Sequence, residues 1–190
     1  ENKYYKNNVI LVNRNRFDPV FRSIWCASIL NSFKNQNAIL FTKKNFSFTN
    51  TLYKNFGVKK LEFLSVRDIF FKNFFRNFLC LFRSFSVYLI YSYKGIDRFI
   101  EKFNINEVYT GLLIHESYIK KEKCFIDTNF FLPYFYFFQI FTSYVLISYL
   151  EDYLVRNKVK SIIINKYTYF DIDSILFLIA KKKKFKMFRV

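Results

Sequence analysis

Short apolar runs alternate with stretches of helical spacing along most of this 190-residue chain. The runs have the length of buried strands, and polar or turn-forming residues bound them. They cover residues 9–12, 38–42, 60–64, 108–114, 159–164 and 185–190. Because strands separated by helices pair in parallel, the alternation predicts an α/β fold with a doubly wound, mostly parallel sheet of about six strands.

Helical patterns fill the intervals between these runs. The clearest are at 23–33, at 50–56 before Gly57, at 133–157 and at 174–182. A chain of this length can bury a core of its own, so we expect residues 1–190 to form a single domain. The chain lacks an initiator Met and ends on a strand-like segment, so we also expect it to be a fragment of a longer protein.

Residues 66–103 carry the pattern of a basic amphipathic helix, with a break expected at Gly95. Large apolar residues recur every three or four positions along one stripe, at Phe71, Phe75, Phe78, Phe82, Phe85 and Leu89. Lys72, Arg76 and Arg83 lie on another side. We expect the stripe to pack on the sheet and the basic side to face water; contact with an anionic membrane surface is the alternative.

The formal net charge of +17 favours anionic partners such as nucleic acid, phosphorylated ligands or an anionic bilayer. Because the lysines are spread along the chain, a solvated surface is the simplest explanation of this charge. Three widely spaced cysteines without a Cys-x-x-Cys pair indicate a reducing, cytoplasmic location.

Residues 128–150 contain no charged side chain and are long enough to cross a bilayer as a helix. Gln139 and several hydroxyl-bearing residues interrupt the run, and predicted strands flank it. We therefore expect a buried, aromatic-rich helix, and a single membrane span is the alternative.

The segment 107–118 holds the most concentrated polar chemistry in the chain. The predicted fourth strand leads into His115, the only histidine, and Glu116. An imidazole or a carboxylate at a strand's carboxyl end can act as a general base, so these two are the candidate catalytic residues. Ser117 and Tyr118 could bind a sugar or phosphate or cap the next turn, and Gly111 allows close approach of a ligand or another backbone.

Two other predicted strands also end in polar residues. Asn13, Arg14 and Arg16 follow the first strand, and Asn165 and Tyr169 follow the run at 159–164. The carboxyl ends of parallel strands meet at one edge of a sheet, so we expect these residues to converge with His115 on a substrate.

The common catalytic and metal motifs are absent from this sequence. It contains no Walker loop, zinc-ligand spacing, Gly-x-Ser-x-Gly elbow or paired-aspartate motif. We therefore predict no metal site, and those enzyme classes are disfavoured.

The order of elements from residue 105 to 190 resembles bacterial surface-carbohydrate (capsule or lipopolysaccharide) biosynthesis proteins. The resemblance rests on the Gly-containing run at 109–114, on Glu116-Ser117-Tyr118 before an aromatic helix, and on the run at 159–165 followed by Tyr169. It implies a glycosyltransferase of the GT-B type, built from two Rossmann-like halves, of which this chain is the N-terminal, acceptor-side half. The Gly-Asp step of that family is missing here.

The resemblance also implies the partners. The acceptor would be a saccharide or lipid-linked saccharide at the inner membrane face, and His115 or Glu116 would deprotonate its hydroxyl. No cofactor is expected on this half, and a nucleotide-sugar donor would bind the C-terminal half. A basic nucleic-acid-binding module is a further alternative, which we disfavour because most Phe residues fall at core spacings.

Overall fold

The computed structural model describes residues 7–12, 24, 36–42, 47–58, 60–122, 131–164 and 171–189. Within these ranges the elements are β1 Asn7–Val12, β2 Gln36–Thr42, α1 Ser47–Asn55, β3 Lys60–Phe63, α2 Val66–Lys72, α3 Phe74–Lys94, α4 Ile96–Lys102, β4 Asn104–Ile105, β5 Val108–Tyr109, α5 Gly111–Glu122, α6 Tyr134–Arg156, β6 Val159–Ile164, α7 Ile172–Lys183 and β7 Lys186–Arg189.

The described residues fall into two compact units. The sheet unit is drawn from residues 1–65, 152–167 and 183–190. The helical unit is drawn from residues 66–151 and 168–182. Each unit therefore combines segments that are distant in sequence.

The sheet unit contains a five-stranded sheet in the order β3-β2-β1-β6-β7. Every neighbouring pair is parallel, with Ile10 of β1 opposite Ile39 on one side and Ile162 on the other. Numbered by their order in the chain, the sheet strands run 3-2-1-4-5, which is compatible with a Rossmann-like fold. The predictions at 9–12, 38–42, 60–64, 159–164 and 185–190 are confirmed.

Both faces of the central strands are buried, as continuous apolar runs require. On one face Val9, Leu11 and Leu40 pack with Tyr53 of α1 and with Ile24. On the other face the ring of Phe41 meets that of Tyr153 edge to face, with centroids 5.1 Å apart. The central strands are therefore covered on both sides, which explains why residues 9–12 and 38–41 have no polar alternate position.

The predicted fourth strand at 108–114 is wrong. Only Val108 and Tyr109 are extended, and they pair antiparallel with β4 in a separate two-stranded ladder. Asn106 and Glu107 form the connecting turn with φ of 49° and 64°, the positive values that a two-residue hairpin turn requires. The chain then enters α5, because a short apolar run such as 112–114 suits a helix as well as a strand. The parallel sheet therefore has five strands where about six were expected.

The break expected at Gly95 is confirmed. Gly95 has φ of 89° and separates α3 from α4. A second interruption at Asn73 divides the preceding segment into α2 and α3, and the buried amide of Asn77 donates to the carbonyls of Ile69 and Phe70 at 3.0 and 3.1 Å. This amide fixes the junction between α2 and α3.

The expected packing of the Phe stripe is wrong. The buried side chains of α3 are Asn77, Cys80 and Ser84, all small or polar. Ten large apolar side chains of α2 and α3 are exposed, and we call them the aromatic face: Phe71, Phe74, Phe75, Phe78, Leu79, Phe82, Phe85, Leu89, Ile90 and Tyr93. Phe75 is 86% exposed and Phe82 is 59% exposed. The spacing correctly placed the six residues of the predicted stripe on one side, but that side is not the buried one.

The helices predicted at 133–157 and 174–182 are confirmed as α6 and α7. Much of α6 is buried, including Tyr136, Ile140 and Ile147. Among the helices of the described ranges, α6 included, none is long and apolar enough to cross a membrane.

Candidate functional site

His115 lies in the second turn of α5, and Gly111 determines how closely this helix approaches α4. A Cβ atom added at Gly111 would lie 2.2 Å from the carbonyl oxygen of Phe99 and 2.8 Å from that of Ile100. The close approach expected at Gly111 is therefore made by another backbone. The role of Gly111 in binding a substrate stays a prediction.

The nearest polar partner of His115 is Tyr136 of α6. Its Nδ1 lies 2.8 Å from the hydroxyl oxygen of Tyr136, whose side chain is fully buried. Burial raises the pKa of Tyr136, and the neighbouring Tyr118 adds to this effect, so the hydroxyl keeps its proton. The contact is a neutral hydrogen bond between a phenol and an imidazole.

Burial lowers the pKa of His115 below its ordinary value of 6.5, while the charges of Glu116 and Asp97 act in the opposite direction. The ring is therefore mostly neutral at pH 7. In one tautomer Tyr136 donates to Nδ1. In the other, Nδ1–H donates to the Tyr136 oxygen and Nε2 keeps a lone pair that can accept a proton.

Glu116 follows His115 in the helix, so the two side chains leave the axis about 100° apart. The carboxylate acts on the imidazole through its charge. Asp97, in the first turn of α4, acts on it in the same sense. Two carboxylates therefore act electrostatically on this one neutral base, in addition to its contact with Tyr136.

Ser117 and Tyr118 have local partners in the helical unit. The Ser117 hydroxyl donates to the carbonyl of Leu113, one turn earlier, at 2.8 Å. The Tyr118 ring lies 5.6 Å from that of Phe135 and 5.4 Å from that of Tyr136. These contacts pack α5 against the start of α6, and the substrate roles of both residues stay predictions.

The strand ends expected to converge do so in part. Because Leu11 pairs with Ile163, the carboxyl ends of β1 and β6 are neighbours at one edge of the sheet. The predicted binding residues beyond these ends, Asn13, Arg14, Arg16, Asn165 and Tyr169, lie outside the described residues. His115 and Glu116 do not follow a strand of this sheet, so the expected three-strand convergence is wrong.

Tyr136 and Asp97 are the residues that sequence reasoning missed. Tyr136 was one of several tyrosines in an apolar helix, and a buried tyrosine hydroxyl needs a polar partner. Because the chain has one histidine, the need of a buried tyrosine hydroxyl for a polar partner was the only signal that could have suggested the pair of Tyr136 and His115. Nothing in the local sequence around Asp97 indicated its proximity to His115.

No cluster of three or more His, Cys, Asp or Glu side chains that could hold a metal occurs in the part of the chain that the structure describes. No protein-family model, curated protein or solved structure matches this chain. The fold and the site define an α/β protein with a five-stranded parallel sheet and a neutral histidine paired with a buried tyrosine.

Proposed function

We propose that this chain is the acceptor-side domain of a glycosyltransferase, or a related enzyme, of surface-polysaccharide biosynthesis. The observation that carries the proposal is the strand order β3-β2-β1-β6-β7 with every pair parallel. In sheets of this order, ligands bind outside the carboxyl ends of the strands where the strand order reverses. Here that point lies between β1 and β6, and the sequence places Asn13, Arg14, Arg16, Asn165 and Tyr169 just beyond these two strands.

His115 is the proposed general base. Its lowered pKa keeps the imidazole available as a proton acceptor near neutral pH. Nε2 would take the proton of an acceptor hydroxyl while that oxygen forms a bond to the anomeric carbon of the donor sugar. The bond from that carbon to the donor phosphate breaks, and its electron pair leaves with the phosphate.

Tyr136 would act as a positioning residue in this step. When Nε2 gains a proton, Nδ1–H donates to the Tyr136 oxygen, which fixes the orientation of the ring. Glu116 is the alternative base, and it is also close enough to influence His115 through its charge.

The proposed substrates follow the resemblance given by the sequence. The acceptor is a saccharide or a lipid-linked saccharide presented in the cytoplasm at the inner membrane face. The nucleotide-sugar donor would be held by a second Rossmann-like half of the longer protein.

The test is sugar transfer by the full-length gene product, measured with labelled nucleotide sugars and membrane-derived acceptors. We expect His115→Asn to abolish transfer while circular dichroism shows that the chain still folds. Glu116→Gln tests the alternative base, and Glu122→Gln, on the exposed end of the same helix, is the matched control. Wild-type turnover in both His115→Asn and Glu116→Gln would remove these residues as catalytic candidates.

A further inference from the structure

We infer that the aromatic face of α2 and α3 is a docking surface for an anionic phospholipid bilayer. The inference does not depend on the proposed transferase activity. It starts from the burial pattern of α3, which places Asn77, Cys80 and Ser84 inward and nine of its large apolar side chains outward. Water-facing helices normally do the reverse, and a contiguous exposed apolar surface marks an interaction site.

The exposed rings form a continuous surface. Along α2 and α3 the rings of Phe71, Phe74, Phe78 and Phe82 are in successive contact, with centroid separations of 6.5, 5.9 and 5.2 Å. Tyr93, which is also exposed, extends the face to the last turn of α3. At about 1.5 Å per residue, the 21 residues of α3 give this surface a length of about 30 Å.

The start of α6 adds to the same surface within the helical unit. The buried ring of Phe137 lies 6.1 Å from that of Phe85, centroid to centroid, and the ring of the exposed Tyr134 lies 5.5 Å from that of Phe137. The Tyr88 hydroxyl donates to the carbonyl of Leu132 at 2.6 Å, which holds the segment before α6 beside α3. The apolar surface therefore spans two helices that are fixed to each other.

The charges beside the aromatic face identify its partner as anionic. Between Asp68 and Asp97 the chain contains no acidic residue but four basic ones, Lys72, Arg76, Arg83 and Lys94. At 100° per residue, Arg76, Arg83 and Lys94 fall at neighbouring angles along one edge of the face. All four basic residues are exposed. Long basic side chains at the edge of an apolar helix face can reach lipid phosphates while the apolar residues enter the acyl boundary.

The same observations disfavour two other occupants. A second copy of the chain would bring a like charge of +17 and the same basic edge against this surface. Single-stranded nucleic acid binds by stacking on aromatic rings. The face instead mixes its rings with Leu79, Leu89 and Ile90, which provide apolar area without a stacking plane.

Vesicle co-sedimentation with the whole chain, without any sugar substrate, tests the inference. We expect binding to phosphatidylcholine vesicles that contain about a quarter phosphatidylglycerol, weak binding to pure phosphatidylcholine, and loss of binding at high salt. Equal binding to both vesicle types would overturn the requirement for anionic lipid.

Two sets of variants locate the binding surface. We expect Phe75→Ser/Leu79→Ser/Phe82→Ser to reduce partitioning more than about tenfold, because three inserted side chains are removed. The control removes three exposed apolar side chains elsewhere: Phe48→Ser/Val155→Ser/Phe188→Ser.

We expect Arg76→Gln/Arg83→Gln to weaken binding by about fivefold per charge, and Lys54→Gln/Lys181→Gln, which removes the same charge elsewhere, to have a smaller effect.

A fluorescent reporter gives a readout that does not depend on affinity. Phe75→Trp should show a blue-shifted emission that brominated lipids quench when anionic vesicles are added, and Phe48→Trp should not. Three results would overturn the inference: vesicle binding unchanged in the triple Phe75/Leu79/Phe82 variant, a concentration-dependent dimer that this variant abolishes, or oligonucleotide binding lost in this variant without any vesicle binding.

Discussion

Lys182 of α7 and Glu151 of α6 form an ion pair at 3.0 Å, with side chains only 24% and 14% exposed. The same lysine donates to the backbone carbonyl of Asn106. The side-chain amide of Asn106 donates to the other carboxylate oxygen of Glu151 at 3.2 Å. The network thus ties two helices to the turn between β4 and β5, whose residues have positive φ.

Lys182→Met leaves the largely buried Glu151 carboxylate without its cation, so we expect the free energy of unfolding to fall by about 1–3 kcal/mol. Urea denaturation followed by circular dichroism measures the change. The exposed neighbour Lys183 supplies the control, because Lys183→Met should stay within about 0.5 kcal/mol of wild type. Equal effects of the two substitutions would show that the network does not stabilise the fold.

Gly111→Ala should destabilise the helical unit by at least about 2 kcal/mol, because the new Cβ would overlap the backbone carbonyls of Phe99 and Ile100. Backbone atoms cannot move aside as a flexible side chain can. Leu112→Ala, at the exposed next position of the same helix, should cost little. Thermal denaturation gives the melting temperatures of the two variants. A wild-type melting temperature for Gly111→Ala would contradict the close approach of α4 and α5.

The chain's single histidine can be titrated on its own by NMR. We expect the His115 midpoint below 6.5, because burial disfavours the charged ring. Glu116→Gln and Asp97→Asn should each lower this pKa further, since each removes a charge that favours the protonated ring. Glu122→Gln, on the same helix, serves as control. A midpoint at or above 6.5 in the wild-type protein would refute the assigned environment.

The same pKa shift makes folding stability depend on pH. Because the folded pKa is lower than the unfolded one, the unfolded chain binds a proton first as the pH falls. The stabilisation is complete above 6.5 and is lost as the pH falls through the lowered pKa of His115. Comparing wild type with His115→Asn by denaturation between about pH 8 and pH 5 isolates this contribution, and identical pH dependence in both would contradict it.

Tyr136→Phe tests the hydrogen bond to His115 directly. Loss of the hydroxyl leaves Nδ1 of a partly buried ring without this partner, so we expect a cost of about 1–3 kcal/mol. Tyr134→Phe, at an exposed position two residues earlier, should be close to neutral. In the transfer assay proposed for the full-length gene product, Tyr136→Phe should also shift the pH profile. An unchanged profile would show that Tyr136 serves packing alone.

The sequence predicted the sheet better than it predicted the site. Residues 9–12, 38–41 and 162–164 form continuous apolar runs, which is the pattern of a strand buried on both faces. The run at 108–114 is short, so its apolar pattern fits a strand as well as a helix. The helix is stabilised by the close approach of α4 and α5, which no local sequence pattern indicates. The expected position of His115 at a strand end was wrong for this reason.

The aromatic face illustrates a second limit. A spacing of three and four residues between large apolar side chains indicates which of them share one side of a helix. It does not indicate whether that side faces the protein interior. The interior side of α3 instead carries the Asn77 side-chain amide, which donates to two backbone carbonyls of α2. Such a polar contact depends on the three-dimensional path of the chain and leaves little trace in hydropathy.

The inward residues of α3 have an evolutionary consequence. Since Asn77, Cys80 and Ser84 seat the helix, substitutions among the outward phenylalanines and leucines leave that seating intact. Selection could therefore adjust the affinity of this surface for the proposed bilayer one side chain at a time, while the inward residues of the helix stay the same.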